Sequence, residues 1–500
     1  MNKNTSKVEF GDFQTPTILA KLMISILFKN NINPNIIIEP TCGKGEILFC
    51  SIEHFKPECA IGVEINEEYA QFAKGRINGH KNINIHNDDI FSYLPHSNIK
   101  VEDDSEVLLI GNPPWVTNSA LGAINSSNLP IKSNIKNLNG IEAITGKSNF
   151  DIAEYILMNL IDYFCKYKTY FAFLCKTIVA RNILKSIWQK NISYCESSIY
   201  PIDSKIFFSA AVDACFFTID FRKKEQRYDC NIYDSIESTS LQTTYGYYDG
   251  MIINDYVNFQ SHNYFGKSEY IWRNGIKHDC SKVMELDYIN GIMGNGFGEE
   301  VDIENDLLFP LLKSSDLQKN IRIIRKYVIV TQRYVGEDTT YIKYKYPKTW
   351  NYLLKYKSYL DARKSSIYKN KPLFSIFSIG DYSFCPFKIA ISGLYKNIKF
   401  VVLSHIDNKP IMIDDTCNYI PCYSEEEATF LLEMLCSQEV DDFLKSVIFW
   451  DSKRPITTEL LNKICLSKVA EKMNINFEYL NYVKKNKKTK KDDLYQMSMF

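Results

Sequence analysis

The fold of the amino-terminal half is decided by the stretch NIIIEPTCGKGEIL, residues 35–48. Its first apolar residues predict a buried strand that ends at Glu39, and the apolar residues after Gly45 predict the start of a helix. Gly43 and Gly45 occupy the turn, where glycine lets the backbone approach a ligand and the helix start offers free N–H groups. Lys44 is followed by glycine and not by serine or threonine, so the turn is no phosphate-binding P-loop. Two glycines alone predict a tight turn as readily as a ligand site.

The same alternation of apolar strands and helical patterns continues to about residue 220. Apolar strands separated by helices indicate a parallel sheet covered on both faces, which is a doubly wound α/β fold. The strand-like runs are NIIIEP, AIGVEI, INIHNDD, EVLLIGN, TYFAFLC and VDACFFTIDF. The polar stretch RKKEQRYD (222–229) predicts a boundary. We therefore expect a mostly parallel α/β domain over 1–225, a second α+β domain over 226–483 and a basic, flexible tail over 484–500.

Composition narrows the class of protein. A chain of 500 residues exceeds the usual size of one hydrophobic core, and its net charge of +0 gives no global signal for nucleic acid. The 14 cysteines include no C-x-x-C pair, and several, such as Cys175 and Cys215, lie in apolar runs. We expect free thiols in a reducing cytosol and no metal site. No signal peptide or membrane span is recognisable, so a cytoplasmic location is expected.

Two acids at the ends of later strands extend the glycine turn into a nucleoside pocket. Glu64 ends the second strand, 21 residues after Gly43, where it can accept hydrogen bonds from ribose hydroxyls. Asp89 follows the third strand and can accept from an adenine amino group, while Ile65 and Ile90 are expected to hold the faces of the ring. A single acidic residue at the surface would indicate only contact with water and no ligand site. Together, the turn and the two acids predict an adenosine-bearing ligand.

The stretch GNPPW, residues 111–115, follows another apolar run. Proline fixes φ and has no N–H, so the loop is stiff and holds the Asn112 oxygen beside the Pro113 carbonyl. Two adjacent acceptors suit an –NH2 group, because accepting both hydrogens concentrates the nitrogen lone pair. Pro114 extends the stiff turn, and Trp115 offers a flat surface for a base. The alternative is a proline turn that caps a strand, with Trp115 in the core.

In their order, these motifs resemble the amino-methyltransferases that use S-adenosylmethionine, and more narrowly the gamma-class DNA adenine-N6 methyltransferases of restriction–modification systems. The family signature is Asn, Asp or Ser followed by Pro-Pro and an aromatic residue. Trp115 stands where Tyr or Phe is commoner, and Thr-Cys-Gly replaces the more usual Ala-Cys-Gly or Ser-Gly-Gly. The matching segments, in family order, are FGDFQTP (10–16), EPTCGKGEIL (39–48), GVEI, NDDIF, GNPPW, SNFDIAEYIL, FAFLCKTIVARN and IFFSAAVDACFF.

The resemblance implies S-adenosyl-L-methionine as cofactor and the N6 amine of adenine in double-stranded DNA as acceptor. It also implies that the base swings out of the duplex, with Trp115 and Phe207 as walls. The catalytic residues would be Asn112, Pro113, Pro114, Trp115 and Phe207. The cofactor-binding residues would be Thr15, Pro16, Glu39, Thr41, Cys42, Gly43, Gly45, Glu64, Ile65, Asp89, Ile90 and Asn112.

The second half resembles target-recognition domains of this group in the segments 330–340, 375–400 and 449–457. Lys388, Lys453 and Arg454 are the predicted DNA contacts. The run YIKYKYPKTWNYLLKYKSYLDARK (341–364) is equally well interpreted as a phosphate-tracking surface or as a solvated helix face. The end, QMSMF (Gln496–Phe500), resembles short peptides that dock on the bacterial sliding clamp.

Two alternatives stay open from sequence. The first is a methyltransferase of RNA or of a protein glutamine, although such enzymes usually place an extra domain before the glycine turn and only about 35 residues precede it here. The second is a fused or inactive subunit of a restriction system. No Glu-x-Lys tripeptide occurs, which argues against the common nuclease motif, and a cognate restriction endonuclease is expected to act as a separate protein.

Overall fold

The computed structural model describes residues 13–96, 101–102, 104–116, 151–319 and 323–497. The chain forms two compact units, Met1–Val257 and Asn258–Phe500. In the described residues, no helix combines the length and hydropathy needed to cross a bilayer. All 14 cysteines lie in the described part and are free.

The first unit is built on one ten-stranded sheet with the order β10-β9-β8-β6-β7-β5-β4-β1-β2-β3. Neighbouring strands from β5 to β3 run parallel, whereas β7 lies antiparallel between β5 and β6. Its strands are β1 (Ile36–Glu39), β2 (Cys59–Glu64), β3 (Ile83–Asn87), β4 (Val107–Gly111), β5 (Thr169–Lys176), β6 (Glu196–Ile202), β7 (Ala214–Asp220), β8 (Asp229–Tyr233), β9 (Leu241–Tyr248) and β10 (Met251–Ile253).

Helices alternate with these strands, and the central strands β1 and β4 are buried at every residue. Burial of consecutive residues, which point to opposite faces, means that both faces of the sheet are covered. The predicted doubly wound, mostly parallel α/β fold is thereby confirmed. The helices of this unit are α1 (Thr17–Lys29), α2 (Glu46–Phe55), α3 (Glu67–Gly75), α4 (Ile90–His96), α5 (Ile152–Phe164), α6 (Thr177–Gln189) and α7 (Ser204–Phe208), and α8 (Tyr256–Ser261) spans its end.

The first unit extends further than the boundary predicted at residue 225. Strand β8 pairs in parallel with β6, and β9 and β10 follow it as antiparallel neighbours. The polar stretch at 222–229 is therefore a connection between two strands of one sheet, because polarity alone does not separate a loop from a linker.

The second unit has two sheets, which fits the predicted α+β class. One is antiparallel with the order β11-β19-β16-β17, and the other has the order β13-β12-β15-β14-β18. The strands are β11 (Arg273–Asn274), β12 (Glu285–Ile289), β13 (Ile292–Gly294), β14 (Leu308–Leu312), β15 (Lys326–Ile329), β16 (Phe387–Ser392), β17 (Phe400–Ser404), β18 (Met412–Ile413) and β19 (Cys417–Cys422).

Ten α-helices of the second unit fall in the described residues. They are α9 (Ser281–Met284), α10 (Ser314–Lys319), α11 (Tyr341–Lys345), α12 (Pro347–Lys355), α13 (Lys357–Asp361), α14 (Glu425–Leu435), α15 (Gln438–Val447), α16 (Thr458–Leu461), α17 (Leu466–Lys472) and α18 (Asn476–Met497). Ser424 caps α14 by accepting from the N–H of Glu427 at 3.2 Å. Helix α18 continues through most of 484–500, the segment predicted as a flexible tail; residues 498–500 lie outside the described part.

Candidate active site

The site is organised by four neighbouring parallel strands in the order β4-β1-β2-β3. Parallel strands end at the same edge of a sheet, so the residues that follow them meet there. Glu39 and Glu64 end β1 and β2, while Asp89 and Asn112 lie just beyond β3 and β4. The topology therefore brings together the predicted nucleoside pocket and the GNPPW loop.

The glycine turn between β1 and α2 has left-handed backbone at both glycines. Gly43 has φ +52° and Gly45 has φ +80°, a region that side chains disfavour. A Cβ on Gly45 would also lie 2.8 Å from the ring of Phe49. The buried Cys42 ties the turn to β2, because its N–H donates to the carbonyl of Val63 at 2.9 Å. The backbone is thus held close to the sheet edge.

Glu64 connects this turn to the start of α3. Its two carboxylate oxygens accept from the N–H groups of Gly43 and Asn66, each at 2.8 Å. The Asn66 side chain in turn caps α3 by accepting from the N–H of Tyr69 at 3.2 Å. The carboxylate is therefore fixed at the position where the sequence predicts contact with ribose.

The predicted adenine side of the pocket follows β3. Asp89 accepts from the N–H of Phe91 at 3.0 Å and so begins α4. Ile65 is 49% exposed, whereas Ile90 is buried, so one of the two predicted ring contacts faces solvent. The Asn87 amide donates to the carbonyls of Glu64 and Ile65 at 2.9 and 3.1 Å, which fixes the backbone that carries both residues.

Glu39 is the most deeply buried acid of the site, at 2% exposure. Burial raises its pKa well above the usual range, and the nearby Glu64 carboxylate adds to this effect. One carboxylate oxygen accepts from the N–H of Leu48 at 2.9 Å, which opposes the shift. The hydroxyl of Thr41 lies close by in sequence and is buried without a hydrogen-bond partner among the described residues.

The segment 13–16 packs against both loops of the site. The Gln14 side chain accepts from the N–H of Lys44 at 3.4 Å, a long hydrogen bond to the glycine turn. The Thr15 hydroxyl accepts from the Asn112 amide at 3.2 Å. Pro16 precedes α1, and its carbonyl accepts from the N–H of Leu19 at 3.0 Å. This leading segment therefore joins the predicted cofactor and acceptor regions.

Only one of the two polar atoms of the Asn112 side chain has hydrogen-bond partners among the described residues. Its amide nitrogen donates to the carbonyl of Phe13 at 2.9 Å and to the Thr15 hydroxyl at 3.2 Å. Its Oδ1 is buried and accepts no hydrogen bond from the described residues. Because a buried acceptor without a donor destabilises a fold, such an atom needs an explanation, and a ligand donor supplies one.

Trp115 lies in a cluster of three aromatic rings. Its ring is 5.4 Å from that of Phe13 and 5.1 Å from that of Phe208 between centroids. The ring of α7 that makes this contact is that of Phe208. Phe207, the predicted base-stacking residue, is half-buried and packs against the same core cluster, and its stacking role stays a prediction. Trp115 is only 5% exposed, so its role as a stacking surface stays a prediction.

A buried ion pair holds the other end of the loop. Lys176 donates to the carbonyl of Trp115 at 3.0 Å and to Asp151 Oδ2 at 2.6 Å. Asp151 also caps α5 by accepting from the N–H of Ala153 at 3.1 Å, and the N–H of Ile152 donates to the carbonyl of Val116. Burial raises the pKa of Asp151 against the opposing effect of Lys176. The loop is therefore fixed from both sides.

The three predicted DNA contacts differ in their exposure to solvent. Lys388 is 2% exposed, its ammonium donates to the carbonyl of Cys385 at 3.3 Å, and burial lowers its pKa. A side chain enclosed in β16 does not reach a phosphate, so this prediction is wrong. Arg454 is exposed and pairs with Asp415 at 3.4 Å, and Lys453 is exposed.

Sequence reasoning missed Phe13, Gln14, Asn87, Asp151, Lys176 and Phe208. Lys176 carried a usable signal, because it is the first charged residue after the apolar run TYFAFLC and so falls at the ligand edge of the sheet. Asn87 likewise ends a strand at that edge. Nothing in the sequence indicated that Phe208 packs against Trp115, because the orientation of its side chain depends on where α7 ends.

Comparison with known proteins identifies the class. The model of the N-6 DNA methylase family matches residues 1–244. The chain is also 43% identical over 477 residues to the type II methyltransferase M.NspV of Nostoc sp., covering 94% of this chain and 99% of that protein. The chain therefore belongs to the N-6 DNA methylases.

Within that family it belongs with the type II methyltransferases of restriction–modification systems, and it is a DNA methyltransferase. A second relative, M.CvrRI of Paramecium bursaria Chlorella virus XZ-6E, is 32% identical over 120 residues, 23% of this chain and 28% of that protein. Among solved structures, the type IIL restriction-modification enzyme MmeI matches with a TM-score of 0.51 and 13% identity. That match covers 92% of this chain and 66% of that longer chain, and it shows likeness of fold alone.

Proposed function

We propose that this DNA methyltransferase transfers a methyl group from S-adenosylmethionine to the N6 amine of adenine in one specific duplex sequence, after the base has swung out of the helix. The observation that carries the proposal is the Asn112 side chain. Two anchors hold its amide nitrogen, and its buried Oδ1 has no donor among the described residues. An acceptor held in this way selects a donor group such as an aromatic –NH2.

The chemistry follows from that choice of group. The N6 lone pair of adenine is delocalised into the ring, which makes the amine a weak nucleophile. When Asn112 Oδ1 and the Pro113 carbonyl accept its two hydrogens, the nitrogen becomes more pyramidal and its lone pair is available for attack. The bound donor would supply a methyl group whose C–S bond breaks as the N–C bond forms, which leaves a neutral thioether, and the surplus N6 proton would pass to solvent. Most of the rate then comes from positioning.

The residues of the glycine turn fit the proposed cofactor. Three features suit a nucleoside with a polar side chain: the Thr41 hydroxyl, which has no partner in the described part of the chain, the left-handed Gly43 and the exposed Ile65. When bound, S-adenosylmethionine supplies a methyl group on a positively charged sulfur. Glu64 would hold the ribose, Asp89 the adenine of the cofactor, and the buried Glu39 would face its ammonium group.

The test compares wild type with Asn112→Ala on duplex DNA, RNA and protein substrates. Methyl transfer to DNA should fall by about 10²–10³-fold, while cofactor and DNA affinity stay within about twofold. Mass spectrometry of nucleosides from methylated DNA should show N6-methyladenine. Wild-type turnover in the variant, or transfer to RNA or to a protein glutamine, contradicts the proposal.

Two partners belong to the same proposal. A cognate restriction endonuclease that cleaves the unmethylated sequence is expected to act separately. Docking of Gln496–Phe500 on a sliding clamp is proposed from sequence alone, because residues 498–500 lie outside the described part. Loss of clamp capture after deletion of the last five residues would support the second partner.

A further inference from the structure

The loop 331–340 of the second unit combines a buried base with an exposed tip. Thr331, Gln332 and Thr339 are almost fully buried. Within this stretch, TQRYVGEDT (331–339), four successive residues are exposed, Arg333 to Gly336. Buried polar groups destabilise a fold unless they find hydrogen-bond partners within the protein, so the polar base of this loop needs such partners.

Those partners are present and fix the loop on its neighbours. The Thr331 and Thr339 hydroxyls donate to the carbonyls of Phe374 and Leu373, at 2.8 and 2.5 Å. The Gln332 amide bridges the loop: its nitrogen donates to the Glu337 carbonyl at 2.7 Å, and its oxygen accepts from the N–H of Ile376 at 3.0 Å. The loop is therefore ordered before any ligand arrives.

The tip presents apolar and cationic side chains to solvent. Tyr334 is 60% exposed and Val335 is 43% exposed, while the Arg333 guanidinium lies 4.7 Å from the centroid of the Phe384 ring. The two acids of the loop are engaged locally. Glu337 accepts from the N–H of Arg333 at 2.5 Å, and Asp338 accepts from the N–H of Thr340 at 3.0 Å. The exposed tip therefore presents an aromatic ring, an apolar side chain and the Arg333 guanidinium, with the carboxylates of Glu337 and Asp338 beside them.

A strongly basic segment, residues 341–371, starts where this loop ends. It holds eight lysines, one arginine and a single acid, in a chain with equal numbers of positive and negative residues. Three of the lysines pair with carboxylates: Lys348 with Asp302, Lys355 with Glu299 and Lys357 with Asp361. The other five are exposed, and no ion pair within the described part engages them. These five, called the free lysines because no carboxylate in the described part pairs with them, are Lys343, Lys345, Lys364, Lys369 and Lys371. Two of them lie over aromatic rings, Lys343 over Tyr344 at 5.7 Å and Lys345 over Tyr346 at 5.4 Å.

Loop and basic segment form one continuous surface. Tyr341, the first residue of α11, donates through its hydroxyl to the Thr331 carbonyl at 3.2 Å. At the other end, Lys371 is followed closely by Leu373 and Phe374, whose carbonyls hold the two threonines of the loop base. Tyr344, between two of the free lysines, is 81% exposed. Exposed aromatic and cationic side chains therefore follow one another along the chain at residues 343–345.

We propose that this surface binds the DNA duplex, with the loop tip against base edges in a groove and the five free lysines on phosphates. The inference rests on the proposed function and assigns the sequence-reading role to Arg333, Tyr334 and Val335. Charge favours DNA over an uncharged partner, because unpaired lysines gathered on one segment attract a polyanion. A stiff tip favours discrimination, because it has little freedom to adjust to a wrong base pair.

The first test replaces the five free lysines by glutamine in the full-length protein and measures affinity against salt. The probes are a duplex with the target sequence mapped from methylated DNA and a duplex of scrambled sequence. Affinity should fall equally for both, and the slope of log K against log salt should decrease by about 0.9 for each lysine that contacts a phosphate. Lys348→Gln, which removes a carboxylate-paired lysine, and Lys472→Gln on α17 serve as controls with little expected change in slope.

The second test replaces Tyr334 by alanine and Val335 by serine, singly and together. Both side chains are exposed, so folding and cofactor affinity should be unchanged. Discrimination between the two duplexes should fall by about tenfold, with little change in salt slope. A wild-type slope in the five-lysine variant, or wild-type discrimination in the loop variants, overturns the proposal. Absence of DNA methylation by the wild-type protein would instead refute the proposed function.

Discussion

Two stiff loops, 112–116 in the first unit and 331–340 in the second, achieve rigidity by opposite arrangements. The first loop uses two prolines and external anchors, and it encloses its key atom, Asn112 Oδ1, away from solvent. The second uses its own buried Thr and Gln side chains and turns its key residues outward. Enclosure suits a reaction that needs desolvated, fixed acceptors, whereas exposure suits contact with a large charged substrate.

The difference predicts separate kinetic consequences. Damage to the first loop should lower kcat and leave DNA affinity unchanged. Damage to the second should lower affinity or discrimination and leave kcat at saturating DNA nearly unchanged. Substitutions at Lys176, Thr15 and Glu39 test this division.

The largest expected effect beyond Asn112 itself comes from Lys176→Met, which removes the donor to the Trp115 carbonyl and leaves Asp151 buried without its cation. A shift of the loop by about 1 Å would reduce kcat on the order of 100-fold, because the amine would no longer meet its acceptors. Single-turnover methyl transfer measures this step. KM for DNA should change by less than about threefold.

Lys176→Arg provides the matched control, since it keeps both the charge and a donor. We expect it to restore a measurable part of the activity, whereas a role in general stability alone would give Met and Arg variants that differ in melting temperature but not in kcat. Equal kcat for Lys176→Met and wild type contradicts the positioning role.

A smaller effect is expected from Thr15→Val, which removes one of the two anchors of the Asn112 amide and keeps the size of the side chain. The loss of one hydrogen bond, about 1 kcal/mol, corresponds to a decrease in kcat of about fivefold. Thr15→Ser keeps the hydroxyl and should behave as wild type. A fall in cofactor affinity with unchanged kcat would show that Thr15 serves the cofactor and not the orientation of Asn112.

The same residues show how much of the fold and of the site could be predicted from the amino-acid sequence. Strand, turn and helix around Gly43 were predictable because local periodicity and glycine chemistry act over a few residues. Asn112 was predictable because the proline pair marks the loop. Lys176, Phe208 and the burial of Lys388 were not, since they depend on which strands become neighbours and where a short helix ends. The boundary at Val257 was missed because β8 joins the sheet through pairing with β6, a contact remote in sequence.

The smallest expected effect concerns the carboxyl groups near the two loops. Asp338 of the second loop is exposed, and its hydrogen bonds to Thr340 lower its pKa, whereas burial raises the pKa of Glu39 beside the first. Because its pKa is raised in the folded state, Glu39 is protonated in both states below its ordinary pKa of 4.5, and it does not destabilise the fold there. Above that pH the unfolded state ionises more easily, so stability falls as pH rises toward the raised pKa.

Glu39→Gln retains an acceptor for the N–H of Leu48 and cannot ionise, so the cofactor-free variant should melt a few degrees higher than wild type at neutral pH. The two melting temperatures should converge as the pH approaches 4.5. Added S-adenosylmethionine should reduce the advantage of the variant, because a cationic ammonium near Glu39 favours its ionised form. A difference in melting temperature that does not depend on pH would show that the charge of Glu39 is not its cause.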